Sequence, residues 1–340
     1  QIGPAGENLV RFACIANDLN EVAGRTGMGA VMGSKRLKAI AVRGRTSVKI
    51  ADQPGLLAIA KWVSSTMDAK HRAFHEFGTG AAMQGKSLEG GMPVLNYRLG
   101  ASDTVARVDA IAVRDQVRVK MTSCYSCSVR CKKVVHIEQK EETAREAAET
   151  IYKGRARVGV DPLGRYRVDP RYGGPEYESL AALGVNLGLD DLIAICKSNE
   201  MCNYLGMDTV SLGATLAWAM ECFEKGILTL DDTGGVPLRF HDADGVVKLC
   251  EMPPKVLPSR SKDQVPSEAV QPLQRSTLPV VRFHPRAPLT PPLCSKLPLV
   301  SRLGPEPTQV PPPPPPPPVT VAVTVPLDAT PVVNTSSAMK

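Results

Sequence analysis

The apolar residues of this chain recur with helical spacing in several separate stretches, most clearly in the second half of residues 1–252. The pattern predicts five helices: Gln53–Met67, Ser179–Leu187, Asp191–Leu205, Val210–Lys225 and a last one that begins at Asp244. Asp190 is the expected N-cap of the third helix, and Gly206 lies where a left-handed C-terminal cap belongs. The fourth helix should end at Gly226 and bury a face made of Leu212, Leu216, Ala219, Met220 and Phe223.

The first half of the chain is richer in glycine, and its pattern is less regular. Leu37–Val42 alternates in a way that predicts a strand, whereas Leu9–Asn17 fits either a short helix or a strand. Residues 78–100 are predicted to be a loop because glycines and a proline interrupt them. Residues 138–172 are charged and irregular, as in a surface insertion. Together the two halves predict the α+β class, with the helices concentrated after residue 51.

The end of the chain has a different composition. Residues 253–340 contain 23 of the 30 prolines, including the unbroken run Pro311–Pro318, and show neither helical nor strand periodicity. Such a segment buries too little apolar surface to offset its ordering entropy, so we expect a disordered tail. The tail also carries 9 Lys and Arg against 4 Asp and Glu, so most of the net charge of +7 comes from it. The remaining residues are nearly neutral, which gives no indication of nucleic-acid binding. No apolar run reaches the roughly 18 residues of a membrane helix.

The strongest chemical motif is a set of three closely spaced cysteines. Cys124, Cys127 and Cys131 have the spacing C-x2-C-x3-C, which lets one short loop supply three thiolates to one inorganic centre. Iron–sulfur clusters and zinc both accept such ligands, and both take a fourth. A cubane cluster often takes its fourth ligand from far away, while structural zinc usually pairs two C-x2-C knuckles. The motif therefore favours a [4Fe–4S] cluster and leaves zinc, or no metal, as alternatives.

The other six cysteines show no such spacing. Four of them lie in apolar, helix-like surroundings, where free cysteine packs as a small hydrophobic residue: Cys14, Cys196, Cys202 and Cys222. The odd total of nine argues against a secreted disulfide scaffold. Thiolates that hold a cluster fit a reducing compartment, so we expect a cytoplasmic protein.

A glycine-rich segment at residues 24–38 is the second candidate site. Gly27, Gly29 and Gly33 would let backbone N–H groups approach an anion, and Arg25 and Lys35 add positive charge. The spacing matches neither a phosphate loop nor a dinucleotide fingerprint, and the sequence predicts a strand after it. A turn-rich β structure without a ligand explains the segment equally well.

Several motifs in order resemble one family, the aldehyde:ferredoxin oxidoreductases, which are tungsten enzymes with a bis-pterin cofactor. They are Gly3–Asn8, Gly24–Lys35, Leu37–Ile40, the cysteine trio, Gly174–Glu178, Asn203–Asp208 and Ala217–Glu221. The resemblance extends from about residue 1 to Met252. It implies that residues 1–50 are the last part of an N-terminal pterin-binding β domain, and that 51–252 belong to a helical, cluster-binding domain. Residues 253–340 look unrelated to the family.

The resemblance also implies an activity and a set of site residues. An aldehyde would be oxidised to a carboxylic acid at tungsten, or less often molybdenum, held by two pterins. Electrons would leave through the [4Fe–4S] cluster, held by Cys124, Cys127 and Cys131, to ferredoxin. The pterin environment would include Arg25, Gly27, Gly29, Gly33, Lys35 and Asp208. Glu176 and Glu178 are candidates for proton transfer near the metal, unless they only favour a helix N-terminus. Asp208 could equally cap the following helix.

The sequence leaves two alternative functions open and predicts two interactions with other protein chains. The chain could be the tungsten subunit of an aromatic-ring (acyl-CoA) reductase, which resembles the same family, or a non-enzymatic, zinc-stabilised scaffold with a proline-rich binding arm. A basic patch near the cysteines is a candidate docking surface for an acidic carrier such as ferredoxin; it comprises Arg118, Lys120, Arg130, Lys132 and Lys133. A homodimer is also expected.

Overall fold

The computed structural model describes residues 1–42, 48–70 and 72–252; side-chain positions are described for all of these except 67–70. The α-helices are α1 (Pro4–Glu7), α2 (Met28–Ser34), α3 (Gln53–Lys70), α4 (Arg72–Phe77), α5 (Met83–Leu88), α6 (Val105–Val108), α7 (Ala110–Gln116), α8 (Glu141–Thr150), α9 (Tyr177–Leu183), α10 (Leu192–Leu205), α11 (Thr209–Glu224) and α12 (Ala243–Glu251). The strands are β1 (Ile15–Asn17), β2 (Glu21–Ala23), β3 (Arg118–Thr122), β4 (Lys132–Val135), β5 (Ile137–Glu138) and β6 (Gly159–Val160). Short 3₁₀ helices cover Gly78–Ala82, Pro170–Tyr172 and Val185–Leu187.

Helices α9 to α12 form the centre of the protein, and their ends follow ordinary capping chemistry. The carboxylate of Asp191 accepts from the N–H groups of Ile193 and Ala194 at the start of α10, and Gly206 ends that helix with φ of 76°. The sequence placed this cap one residue early, at Asp190, which instead forms an ion pair with Arg107 at 2.6 Å. The predicted helices in this region are otherwise confirmed within a few residues, apart from the 3₁₀ turn that follows α9.

The main hydrophobic core lies between these helices. The predicted face of α11 is buried at Leu212, Leu216, Ala219 and Met220, and Phe223 packs partly buried against the same core. Helix α11 packs on α9, and α12 packs on α10. Removal of this much apolar surface from water is the main stabilising contribution, because each buried large aliphatic side chain contributes about 1.5–3 kcal/mol.

Three two-stranded sheets lie around the helical centre. β1 pairs antiparallel with β2, and β3 pairs antiparallel with β4 in a register that places Thr122 opposite Lys132. β5 pairs parallel with β6. The loop that carries the three cysteines joins β3 to β4, so the β3–β4 hairpin determines where the thiols lie. The described residues thus combine helices with a few short strands, as the α+β prediction required.

The N-terminal segment differs from its prediction in two ways. Only Ile15–Asn17 of the stretch Leu9–Asn17 forms a strand, and the glycine-rich segment contains α2 instead of a purely turn-rich β structure. The predicted strand Leu37–Val42 is wrong. Among the described residues, it makes one strand-like contact, in which the N–H of Ile2 donates to the carbonyl of Lys38, and Val42 is 88% exposed. No described strand pairs with this segment, so its alternating pattern does not produce a strand there.

Two segments predicted to lack regular structure contain helices. Residues 78–100 include a 3₁₀ turn and α5, and residues 138–172 include α8. Helix α8 buries Ala144 and Ala147 against Val158, which forms a small second core. Helix α8 is an amphipathic surface helix. Its many charged residues made its short apolar face difficult to recognise in the sequence. Helix α3 matches its prediction.

No helix among the described residues is long and apolar enough to cross a membrane. The prediction of a disordered tail concerns residues 253–340, which lie outside the described residues.

Candidate functional site

The cysteine loop forms the exposed end of the β3–β4 hairpin. Cys124 is exposed, while Cys127 and Cys131 are partly buried. The N–H of Cys127 donates to the carbonyl of Cys124 at 3.1 Å, and Ser126 and Arg130 have left-handed backbone conformations with φ of 56° and 54°. These features turn the chain back on itself twice within eight residues, so the three thiols belong to one tight loop.

Contacts with the preceding helices hold this loop in place. The imidazole Nδ1 of His75, in α4, donates to the carbonyl of Val129 at 2.7 Å. The guanidinium of Arg118 donates to the backbone carbonyl of Glu76 and pairs with its carboxylate at 3.1 Å. Helix α4 thus holds the loop at Val129 and the hairpin that carries it at Arg118.

The basic docking patch predicted around the loop is largely absent. Lys133 is only 1% exposed, and its ammonium forms an ion pair with Glu176, whose side chain is 32% exposed. Lys132 pairs with Glu21 at 2.8 Å, and Arg118 is engaged with Glu76. Because ion pairing and burial cancel these charges, the prediction is wrong for three of its five residues. Lys120 and Arg130 remain exposed.

The three cysteines have the chemistry of ligands for an inorganic group that binds thiolates. All three are free thiols on one loop, and none of them is fully buried. Within the part of the chain that the structure describes, no three His, Cys, Asp or Glu side chains are gathered closely enough to hold a metal ion. Burial, and next the carboxylate of Glu176, raise the pKa of Cys131. A bound cationic centre would supply the charge needed to deprotonate these thiols.

A cavity of about 110 Å³ lies on the inner side of this hairpin. Its walls come from the β1–β2 hairpin, from β4, from residues 172–174, from α10 and from the N-terminal ends of α9 and α11. Polar side chains dominate the lining, among them Lys132, Lys133, Glu176, Asn199, Asn203 and Asp208. Two of the predicted site residues, Glu176 and Asp208, therefore reach the same cavity from positions 32 residues apart in the sequence.

Glu176 is fixed in this cavity by two donors on the same oxygen. Its Oε2 accepts from the ammonium of Lys133 at 3.0 Å and from the hydroxyl of Thr79. Its Oε1 is buried and has no hydrogen-bond partner. A buried carboxylate oxygen without a donor is costly, so this atom is suited to accept a hydrogen bond from a bound molecule or water.

Asp208 caps a helix, which is one of the two roles that the sequence analysis gave for it. Its carboxylate accepts from the N–H groups of Val210 and Ser211 and so caps α11. The Nε atom of Arg25 lies 3.8 Å from the same carboxylate, and Arg25 is 70% exposed. The structure therefore brings Arg25 close to Asp208, which lines the cavity and is itself 6% exposed.

The three predicted glycines have close backbone neighbours. A Cβ atom on Gly27 would overlap the carbonyl of Arg11, one on Gly29 that of Cys14, and one on Gly33 that of Gly6. Gly27 also has a φ of 70° at the start of α2. Close backbone packing is sufficient to explain why glycine is needed at these three positions. This reason is independent of any contact between their N–H groups and a phosphate.

Two of the predicted site residues lie apart from the cavity. Lys35 is exposed at the C-terminal end of α2, and Glu178 is exposed in the first turn of α9. Neither residue lines the cavity. The position of Glu178 matches the interpretation in which an acidic residue favours a helix N-terminus.

The remaining described cysteines pack in the core. Burial raises the pKa of Cys14 to about 11, and it also raises that of Cys196. A hydrogen bond between Cys202 and Cys250, together with burial, raises the pKa of Cys202. These thiols stay protonated, as small buried hydrophobic residues do.

Sequence reasoning missed Lys133 and Thr79 as site residues. Lys133 was taken for a surface charge, although the apolar pair Val134 and Val135 follows it directly. Consecutive apolar residues are typical of a strand that is buried on both faces. This pattern could have indicated that Lys133 is buried. Thr79 carries no comparable signal, because its contact with Glu176 joins residues 97 positions apart.

Comparison with known proteins identifies the family of this chain. Residues 1–44 match the model of the aldehyde ferredoxin oxidoreductase N-terminal domain, and residues 57–253 match that of domains 2 and 3 of the same enzymes. A tungsten-containing aldehyde ferredoxin oxidoreductase of Pyrococcus furiosus is 38% identical over 239 residues, which is 69% of this chain and 35% of that protein. The WOR-like subunit of an aliphatic sulfonate oxidoreductase from the same organism is 28% identical over 256 residues, or 74% of this chain and 36% of that one.

A solved structure shares the fold. The active-site complex BamBC of benzoyl coenzyme A reductase, in complex with 1,5-dienoyl-CoA, superposes with a TM-score of 0.50 at 19% identity, covering 73% of this chain and 35% of that one. The chain spans about a third of the length of the curated relatives it matches. The two family models together cover most of residues 1–253, and the chain belongs to the aldehyde ferredoxin oxidoreductase family.

Proposed function

We propose that this chain contributes to a tungsten-dependent oxidoreductase that converts an aldehyde to a carboxylic acid and passes the electrons through a [4Fe–4S] cluster to ferredoxin. One observation carries the proposal: Glu176 and Asp208 line the same cavity, and the wall of that cavity is formed by β4, which begins directly after Cys131. A cluster on the loop and a cofactor in or beside the cavity would be neighbours, as electron transfer between them requires.

Each group has candidate residues in this chain. Cys124, Cys127 and Cys131 would hold the cluster and supply three of its ligands. Asp208 and Arg25 would contact a pterin at the cavity edge, while Gly27, Gly29 and Gly33 keep the backbone of that edge close to the protein. Lys35 would act only through its charge, from the far end of α2. When bound, a tungsten (or molybdenum) bis-pterin accepts two electrons from the aldehyde as oxygen from water is added, and the cluster carries electrons away singly.

Glu176 is the proposed proton acceptor. Lys133 and Thr79 both donate to its Oε2, so Oε1 stays free to accept a proton or hydrogen bond at the cavity. Glu178 was predicted beside it, but its exposed position supports a role at the start of α9. Of the two acids, Glu176 is therefore the one whose geometry supports catalysis.

Relatives differ in substrate, and their similarity favours an aldehyde. Identity is 38% to the aldehyde enzyme and 28% to the sulfonate enzyme. The match to benzoyl coenzyme A reductase concerns the fold, so it gives no independent support to the aromatic-ring alternative. We further propose a homodimer that works in the reducing cytoplasm.

Purification of the full chain without oxygen would test the proposal. Iron with labile sulfide, tungsten or molybdenum, and pterin should copurify, and an aldehyde should reduce a small dye acceptor in their presence. Stoichiometric zinc without iron would instead support the zinc scaffold. Iron and sulfide with no aldehyde-dependent reduction, but with reduction coupled to an aromatic acyl-CoA, would support the ring-reductase alternative.

A further inference from the structure

Lys133 is an unusual residue to find inside a protein. Its side chain is 1% exposed, and a lysine is almost never fully buried unless it is paired. Its ammonium lies 3.0 Å from Oε2 of Glu176, which is its ion-pair partner. The pair joins β4 to the residue that precedes α9, so it connects the cysteine hairpin with the cavity.

Gly78 shows how closely Lys133 lies to the cysteine loop. A Cβ atom on this glycine would be 2.7 Å from the ammonium of Lys133 and would overlap the carbonyl of Cys131. The ammonium and the backbone of the third cysteine thus pack over the same glycine, which has a φ of 64°. The ammonium is buried and the side chain of Glu176 is 32% exposed, so water screens the lysine charge less than it screens a fully exposed charge.

The Glu176 carboxylate is held through one of its two oxygens. Both donors, Lys133 and Thr79, hold Oε2, which leaves Oε1 buried and unpaired. If Lys133 were absent, the carboxylate would lose the ion-pair partner that it has among the described residues and would be free to turn. The position of this carboxylate therefore depends on the ammonium.

We propose that Lys133 is a positioning residue that links the two halves of the site. It fixes the Glu176 carboxylate in the cavity, and its positive charge offsets that carboxylate at the redox centre held by the cysteine loop. The inference rests on the proposed function, since it assigns a role towards the cluster. It adds a residue that the motifs did not indicate.

The test is the reduction potential of the cluster, measured by an anaerobic redox titration followed by electron paramagnetic resonance. Lys133→Met should shift the midpoint to a more negative value, because the uncompensated Glu176 charge disfavours the added electron. Glu176→Gln should shift it to a more positive value. In the double variant Lys133→Met with Glu176→Gln, the midpoint should return most of the way to the wild-type value. The single variant Lys133→Arg keeps the positive charge, so its midpoint should equal that of the wild type.

Controls separate this role from general effects of charge. Lys120→Met removes the same charge from an exposed position of β3 in the same hairpin, where water screens it, and should leave the midpoint unchanged. An equal shift in Lys120→Met and Lys133→Met, or no shift in Lys133→Met, would overturn the inference. If Lys133→Met fails to fold, Glu176→Gln decides, because its amide oxygen still accepts from Lys133 while the negative charge is removed: a midpoint equal to that of the wild type would overturn the inference. Wild-type protein that binds no iron would overturn the proposed function, and this inference with it.

Discussion

The two parts of the candidate site are built in opposite ways. In the cavity wall, the side chains are held by partners within the chain: Lys133 by Glu176, and Asp208 by the N–H groups at the start of α11. The cysteine loop presents its first thiol to solvent, and Tyr125 beside it is fully exposed. The wall is preorganised by the fold, whereas the loop has chemical groups whose partners must come from a bound centre.

This contrast predicts that the wall affects the stability of the cofactor-free protein and the loop does not. Loop substitutions should abolish binding of the centre and leave the free energy of unfolding nearly unchanged. Wall substitutions should lower that free energy even when no cofactor is present. The following variants test the contrast, from the largest expected effect to the smallest.

Cys127→Ala should abolish the cluster completely. Broad visible absorbance that dithionite bleaches should appear after anaerobic reconstitution of the wild type and should be missing from the variant. Because the side chain is only partly buried in an open loop, unfolding of the apoprotein by urea should change by less than about 0.5 kcal/mol. Cys196→Ala, in the core, is the matched control and should keep the absorbance. Equal loss of absorbance in both variants would show that the ligands were assigned wrongly.

Gly33→Ala should destabilise the apoprotein by about 2–3 kcal/mol. The added Cβ would overlap the backbone carbonyl of Gly6, which cannot move aside as a flexible side chain could. Gly85→Ala is the control, because nothing lies within 4 Å of its Cβ position in α5. That variant should be more stable by about 0.5–1 kcal/mol, owing to the higher helix propensity of alanine. Urea denaturation measures both, and similar values for the two would contradict the packing argument.

Asp208→Ala should cost about 1–2 kcal/mol, because α11 loses its N-cap. Asp208→Asn should keep most of that stability, since an amide oxygen can still accept from Val210 and Ser211. The amide removes the charge that faces Arg25, so pterin and tungsten content of the anaerobically purified protein should fall in both variants. Full cofactor content in Asp208→Asn would leave the residue with a capping role alone.

Lys120→Glu with Arg130→Glu should have the smallest effect. Reduction of ferredoxin should slow by a few-fold at low ionic strength and recover at high salt, since these exposed charges would mainly steer encounter. Turnover with a small neutral dye and the urea midpoint should both stay at wild-type values. An equal loss with the dye would mean that the cluster had been damaged.

The sequence predicted the elements whose stabilising interactions are local. The end of α10 at Gly206 and the buried face of α11 were evident, because capping and helical periodicity act within a few residues. The three cysteines were found because loop ligands are close in sequence. The strand at Leu37–Val42 was wrong because a strand depends on a neighbour that the pattern cannot supply.

Long-range contacts explain what the sequence could not give. The partnership of Lys133 with Glu176 joins residues 43 positions apart, so the sequence could not show which acid pairs with that lysine. The cavity combines four separate regions of the chain, so Glu176 and Asp208 could be proposed singly but not placed together. The role of Gly33 was ambiguous for the same reason, since its close neighbour Gly6 belongs to another helix.

The first residues of the chain are joined to the helical centre by backbone hydrogen bonds. The N–H of Cys14 donates to the carbonyl of Gly206 at 2.9 Å, and the N–H of Asp208 donates to the carbonyl of Phe12 at 3.0 Å. These bonds surround the residue that caps α11, so the N-terminal segment and the helices share one cooperative unit of unfolding. Exchange of the amide hydrogens of Cys14 and Asp208 should therefore report a similar free energy of opening, and a fragment that begins at residue 51 would leave buried backbone groups of this junction without partners.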